Sequence, residues 1–230
     1  MSDVPPGTAD AVAAWGVPSK QESRLPVVGA VLVAIFLQVI LPDRLLVNST
    51  TRVVLPALEG LLLVVLLVAN PTRTINPEER VLRGVGIALI ALISIANVVS
   101  LVELIHALLY VPKTAGRPLV YASVPIWLTN VIVGGLWYWE LDRGGPAARC
   151  QPKHRRPDFL FPQMGARGAD PGWTPDFGDY LYTSFTNATA FSPTDTMPLT
   201  GWAKLLMALQ SMASLITLAV VISRAVNILA

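Results

Sequence analysis

The sequence predicts an all-α integral membrane protein: five transmembrane helices plus a short re-entrant half-helix before the last span. Three observations predict it. The 230 residues are 53% hydrophobic and only 14% charged, with a mean hydropathy of +0.56, whereas soluble domains carry about 25% charged residues. Five apolar runs approach or exceed the ~20 residues that cross a bilayer as a helix. A sixth helical segment, 177–190, is about 21 Å long, too short to cross. The same composition excludes other classes. Net charge is only +2, with scattered basic residues, so no nucleic-acid partner is expected. The single cysteine, Cys150, rules out an intrachain disulfide framework and a cysteine-based zinc site.

Residues 1–24 mix Pro5, Pro6, Gly7 and Pro18 with Asp3, Asp10, Lys20, Glu22 and Arg24. This reads as a disordered N-terminal tail, without the basic-apolar-cleavage order of a signal peptide. A four-helix transmembrane region is expected over 25–141. Run 25–41 is uncharged, and 53–69 has Glu59 as its only charge. Run 84–110 spans roughly 40 Å as a helix, so it must tilt or project. Run 120–139 carries Pro125 in its first turns, and 202–229 carries Lys204 and Arg224 toward its ends. Trp137, Tyr138, Trp139 and Trp202 stand at span ends, as interfacial aromatics do. The connections 42–52, 71–80 and 111–118 are short, which favours antiparallel neighbours and an up-down bundle. Segment 142–173 is polar, rich in proline and glycine, and basic, with Arg143, Arg149, Lys153, His154, Arg155, Arg156 and Arg167. It is expected to be a mobile loop or an ordered cap, with a solvated loop the blander reading of 153–156.

Segment 174–230 reads as half-helix, turn and inner helix. Thr174 can cap, Pro175 suits the first helical position, and Asp176 and Asp179 favour the positive end of the dipole. Thr183, Thr186, Asn187 and Ala190 make one stripe, and Phe177, Leu181, Phe185 and Ala188 another. The helix should stop near Ser192, because Pro193 disfavours helical geometry before it. The run Tyr182-Thr183-Ser184-Phe185-Thr186-Asn187-Ala188-Thr189-Ala190-Phe191-Ser192-Pro193-Thr194-Asp195, followed by Pro198, Trp202 and Lys204, resembles the pore helix, filter and inner-helix start of tetrameric potassium channels. The resemblance covers about 50 residues, from Phe177 onward. It implies a pore helix with Thr183, Thr186 and Asn187, a filter-like segment over Thr189 to Thr194, and Asp195 where the family has the aspartate after its filter. It further implies a homotetramer passing monovalent cations through the plasma (inner) membrane. The filter positions Ala190-Phe191-Ser192-Pro193-Thr194 lack the family's glycines, which permit stacked carbonyls, and Pro193 fixes φ and removes an amide. Ser192 and Thr194 would then line the narrow part, and Phe191 would line it or close it by dewetting. The inner helix also lacks a glycine hinge.

Ionisable side chains inside spans are costly and mark functional candidates. Glu59 needs a partner such as Asn97 or Asn130, or a protonated carboxyl. Glu103 and His106, three apart, share a helical face and fit best as a hydrogen-bonded pair near the interface. Glu59 and the Glu103/His106 pair together give an alternative function, a proton-coupled transporter or a sensory or structural membrane subunit. Gln38, Asn70, Asn97, Asn130 and Gln210 fit helix-helix hydrogen bonding, and Gly134-Gly135 fits close helix contact. No phosphate loop, nucleophile elbow or zinc motif is present, so neither enzyme activity, a metal nor a cofactor is expected. Orientation is contested. The resemblance requires 142–173 outside, whereas eleven basic residues on that side against four on the other favour it inside.

Overall fold

The computed structural model describes residues 19, 22–41, 49–69, 80–110, 116–151, 156–165, 173–189 and 195–229. The described chain is mostly helical. The long helices are α1 (Leu25–Val39), α2 (Ser49–Ala69), α3 (Arg80–Tyr110), α4 (Gly116–Leu141), α7 (Phe177–Thr189) and α8 (Gly201–Leu229). Between α4 and α7 lie a 3-10 turn (Asp142–Gly144), two single-turn helices, α5 (Pro146–Arg149) and α6 (Pro162–Gly165), and strand β1 (Phe159–Leu160). Strand β2 (Met197–Pro198) precedes α8. Helix α4 begins at Gly116, so Pro125 lies inside the helix and not in its first turns.

Helix α4 is the hub, packing on α1, α3, α7 and α8, while α2 closes the bundle against α1 and α3. Anchoring contacts fix the directions. Glu22, before α1, and Arg83, early in α3, both reach the C-terminal end of α4, at Trp139 and Glu140. Helices α1 and α3 therefore run away from that end, antiparallel to α4. Two apolar clusters fill the bundle. One, around Ile93, Leu136, Tyr138, Phe159 and Tyr180, sits toward the end where α4 finishes. The other, around Leu104, Ala122, Ile126 and Val220, sits toward the opposite end.

Large apolar side chains are exposed on the outside, and inside, polar groups are buried beside the two apolar clusters. Phe36 and Val68 are 62% and 73% exposed, and Leu61, Ile95, Val98 and Leu209 are exposed too. Among the described residues Val81–Ala107 and Gly201–Ser223 are long and apolar enough to cross a membrane, while Leu25–Val39 and Val53–Val68 are shorter apolar helices. Helix α4 is longer but more polar, with Ser123, Thr129 and Asn130 buried in it.

Segment 142–165 is a folded cap wherever it is described. Asp142 and Asp158 clasp each other's neighbourhood. The Asp158 N–H donates to Asp142 Oδ1 and the Arg143 N–H to Asp158 Oδ2, both at 2.8 Å. Arg143 and Arg149 are 1% and 0% exposed. Arg149 donates to the Trp139 carbonyl at 2.6 Å and to Glu22 Oε1 at 3.2 Å, and stacks over Tyr180. Burial works against the Arg149 charge, but Tyr180, Glu22 and Asp142 outweigh it, and its pKa is raised. Positions 153–155 lie outside the described residues, and Arg156 is exposed. Of the expected tail, positions 19 and 22–24 are described, and two of them dock on the cap. Ser19 is buried, its N–H donates to the Arg149 carbonyl at 2.8 Å, and Glu22 completes the Arg149 pair.

Candidate functional site

Helix α7 is held at its start by a capping box. Asp176 Oδ1 accepts from the Asp179 N–H at 3.3 Å, and Asp179 Oδ2 accepts from the Asp176 N–H at 2.9 Å. Two of the amides orphaned at a helix start are thereby satisfied. The capping residue is Asp176, two places beyond the expected Thr174. Phe177 meets the Trp139 ring edge-on, and the Tyr180 hydroxyl donates to Asp142 Oδ2 at 2.6 Å. The helix thus starts beneath the cap. It then descends along α4, with Leu181 against Gly135, Ser184 donating to the Val131 carbonyl, and Phe185 against Trp127.

Close approach of α7 depends on Gly134 and Gly135. A Cβ at Gly134 would lie 2.5 Å from Ser184 Oγ, and one at Gly135 would lie 3.0 Å from Leu181 Cα. In that space α4, α7 and α8 share one buried hydrogen-bond network centred on Gln210. Gln210 Nε2 donates to Ser184 Oγ at 2.6 Å and to the Ser184 carbonyl at 3.0 Å. Gln210 Oε1 accepts from the Tyr138 hydroxyl and from Asn187 Nδ2. Asn187 Nδ2 also donates to the Met207 carbonyl at 3.0 Å, and Ser211 Oγ donates to Asn187 Oδ1 at 3.0 Å. Asn130 Nδ2 donates to Ser214 Oγ at 2.8 Å and to the Gln210 carbonyl at 3.1 Å. Every polar group of the Gln210 side chain is used, so α7 has one seat on α8.

The path of the chain follows from these contacts. Helix α8 starts under the cap, where Trp202 Nε1 donates to Asp158 Oδ1 at 3.0 Å. Helices α7 and α8 therefore run the same way. Asn187, near the end of α7, meets Ser211, ten residues into α8 and roughly 15 Å below its start. The chain is back at the cap by Met197–Pro198, which pairs antiparallel with Phe159–Leu160. On the way, Thr196 Oγ1 lies 3.2 Å from Thr183 Oγ1, both groups buried.

Among the residues expected to form the site, Thr183 pins the returning segment and Asn187 the inner helix. Thr186 and Thr189 hydroxyls donate to carbonyls of their own helix, at Thr183 and Thr186. Asp195 is exposed. Ala190, Phe191, Ser192, Pro193 and Thr194 lie outside the described residues. The face of α7 that is buried runs through Phe177, Tyr180, Thr183, Ser184 and Ala188. It cuts across both expected stripes and leaves Phe185 exposed. Tyr180 and Ser184 were not singled out by the sequence. Tyr138 and Trp139, expected at an interface, are buried under the cap.

Glu59 is 0% exposed. Gln38 of α1 is its polar neighbour. Even so, neither Glu59 oxygen nor Gln38 Nε2 reaches hydrogen-bonding geometry with any described group. Asn130 is committed to α8 and is not the partner of Glu59. Glu103 is half-buried and His106 exposed on α3. No three His, Cys, Asp or Glu side chains converge as a metal site among the described residues. No family model, curated protein or solved structure matches the chain.

Proposed function

We propose that the chain is a multi-pass plasma (inner) membrane protein of five spans and a re-entrant half-helix. Four copies surround an axis at which α7, residues 190–194 and α8 form a pore-loop path for monovalent cations. The observation that carries this reading is the shared direction of α7 and α8, with the chain returning to the cap between them. Backbone that turns at membrane depth is tolerated where it is buried in protein or lines a water-filled cavity. The C-terminal end of α7 is the negative end of its dipole, which favours a cation beside it. Leu205, Leu209, Met212 and Leu215 leave one apolar face of α8 exposed, suited to lipid or to neighbouring copies. The path would be lined by the side chains of Ser192 and Thr194, with Phe191 setting its conductance.

Cys150 provides the test, because the pore-loop reading puts the cap outside the cell. A membrane-impermeant maleimide should label Cys150 in intact spheroplasts. Labelling only after permeabilisation would invert the half-helix and sink the reading. The buried Glu59 beside Gln38 favours one alternative, a proton-coupled transporter, since an intramembrane carboxyl suits a group that gains and loses a proton. That alternative requires Glu59→Gln to abolish transport.

A further inference from the structure

A cavity of about 310 Å³ lies between α1, α2, α3 and the cap end of α4, within the ~300–1,000 Å³ typical of binding pockets. Its walls are apolar, formed by Val28, Val31, Leu63, Leu89 and Leu136. Arg83 and Glu140, at its cap end, are bonded to each other, Nε to Oε1 at 2.7 Å. An apolar group therefore suits the cavity better than an ion. The cap brings the start of the chain to this place. The Ser19 N–H donates to the Arg149 carbonyl at 2.8 Å, and Glu22 accepts from Arg149 and from Trp139 Nε1. Ala148 and Gln151, on either side of Arg149, line the cavity, so Ser19 is fixed beside its wall. Residues 1–18 lie outside the described residues. In their sequence, Ala11-Val12-Ala13-Ala14-Trp15-Gly16-Val17 is an uncharged, apolar stretch. Trp15 is four residues from Ser19, a reach of up to ~14 Å.

We propose that the Trp15 indole of this same chain fills the cavity, so that the N-terminal segment closes the bundle at its cap end. Tethering selects this occupant. A side chain held on a short linker acts at an effective concentration on the order of mM, which a free apolar molecule or a lipid tail does not share. Ser19 and Glu22 have already ordered the chain at the cap, so few further residues must be fixed for the indole to dock. The inference rests on neither conduction nor membrane orientation.

The test places the photo-crosslinker benzoylphenylalanine at position 15 of the purified full chain. Irradiation should join that position to α1, α3 or residues 146–151, as read by mass spectrometry of the digested adduct. Gly86 lines the cavity, and a Cβ there would meet nothing within 4 Å. Gly86→Phe therefore fills the cavity from within and should abolish those adducts. Separately, Trp15→Ala should lower the melting temperature by roughly 5–10 °C, and Trp15→Phe should recover most of that loss. Adducts confined to lipid or detergent, or to residues away from the cavity, would overturn the proposal. So would undiminished adducts in folded Gly86→Phe. An unchanged melting temperature in Trp15→Ala would overturn it as well, and that measurement decides the matter where Gly86→Phe does not fold.

Discussion

Replacing Gln210 with leucine strips partners from Ser184, Tyr138 and Asn187 in one packed interface. Each buried polar group left unpaired costs about 1–3 kcal/mol. The melting temperature of the purified protein should therefore fall by roughly 2–4 °C per kcal/mol. Gly134→Ala should destabilise by about 1–3 kcal/mol through overpacking, because its methyl would meet Ser184 Oγ at 2.5 Å. Gly60→Ala, with nothing within 4 Å of its Cβ, should be neutral or stabilising in the same melt. Burial, reinforced by Glu22 and opposed by Arg149, raises the Cys150 thiol pKa. A raised pKa means less thiolate at neutral pH. Maleimide labelling of the folded protein should therefore keep accelerating with pH beyond the point where a denatured control has levelled off. At this scale the sequence was legible where a residue type has few uses in an apolar helix. Paired glycines pointed to close approach, and Gln210 and Asn130 to helix-helix hydrogen bonds. Tyr180 and Ser184 stayed silent, because one hydroxyl in a mixed helix carries neither charge nor period. Glu59 was legible as a candidate, but not its neighbour Gln38, which the packing of α1 on α2 selects.

The cap is the element whose order depends most on distant residues. Arg149→Met leaves Glu22 without its guanidinium, and breaking one side of a buried pair costs about 3–5 kcal/mol. Limited proteolysis should then cut within 142–165 of that variant far sooner than in the parent chain. The reason 142–165 could be read as loop or cap lies in sequence distance. Arg149 finds Glu22 127 residues away, and Trp202 finds Asp158 44 residues away. No local period announces such pairs. The long helices were legible, since apolar runs and proline-bearing connections set them locally. Their ends shifted where capping chemistry decided, as at Asp176, or where a helix extended past its apolar run, as α4 does to Gly116.

For the whole molecule, burial of charge bears on orientation. Of the six basic residues that weigh 142–173 toward the inside, Arg143 and Arg149 are enclosed in the cap with Asp142 and Glu22. They act as structural cations more than as topogenic ones, which weakens the charge argument against an external cap. In the proposed pore-loop reading, residues 190–194 line the narrow part of the pore. Cation flux into liposomes carrying the purified full-length chain is the most direct measurement of that claim. The account predicts flux of monovalent cations that Ser192→Ala or Asp195→Asn changes by several-fold and that Glu59→Gln leaves intact. Absence of flux from folded, membrane-inserted protein would contradict it. So would flux that ignores both pore-loop substitutions and disappears in Glu59→Gln.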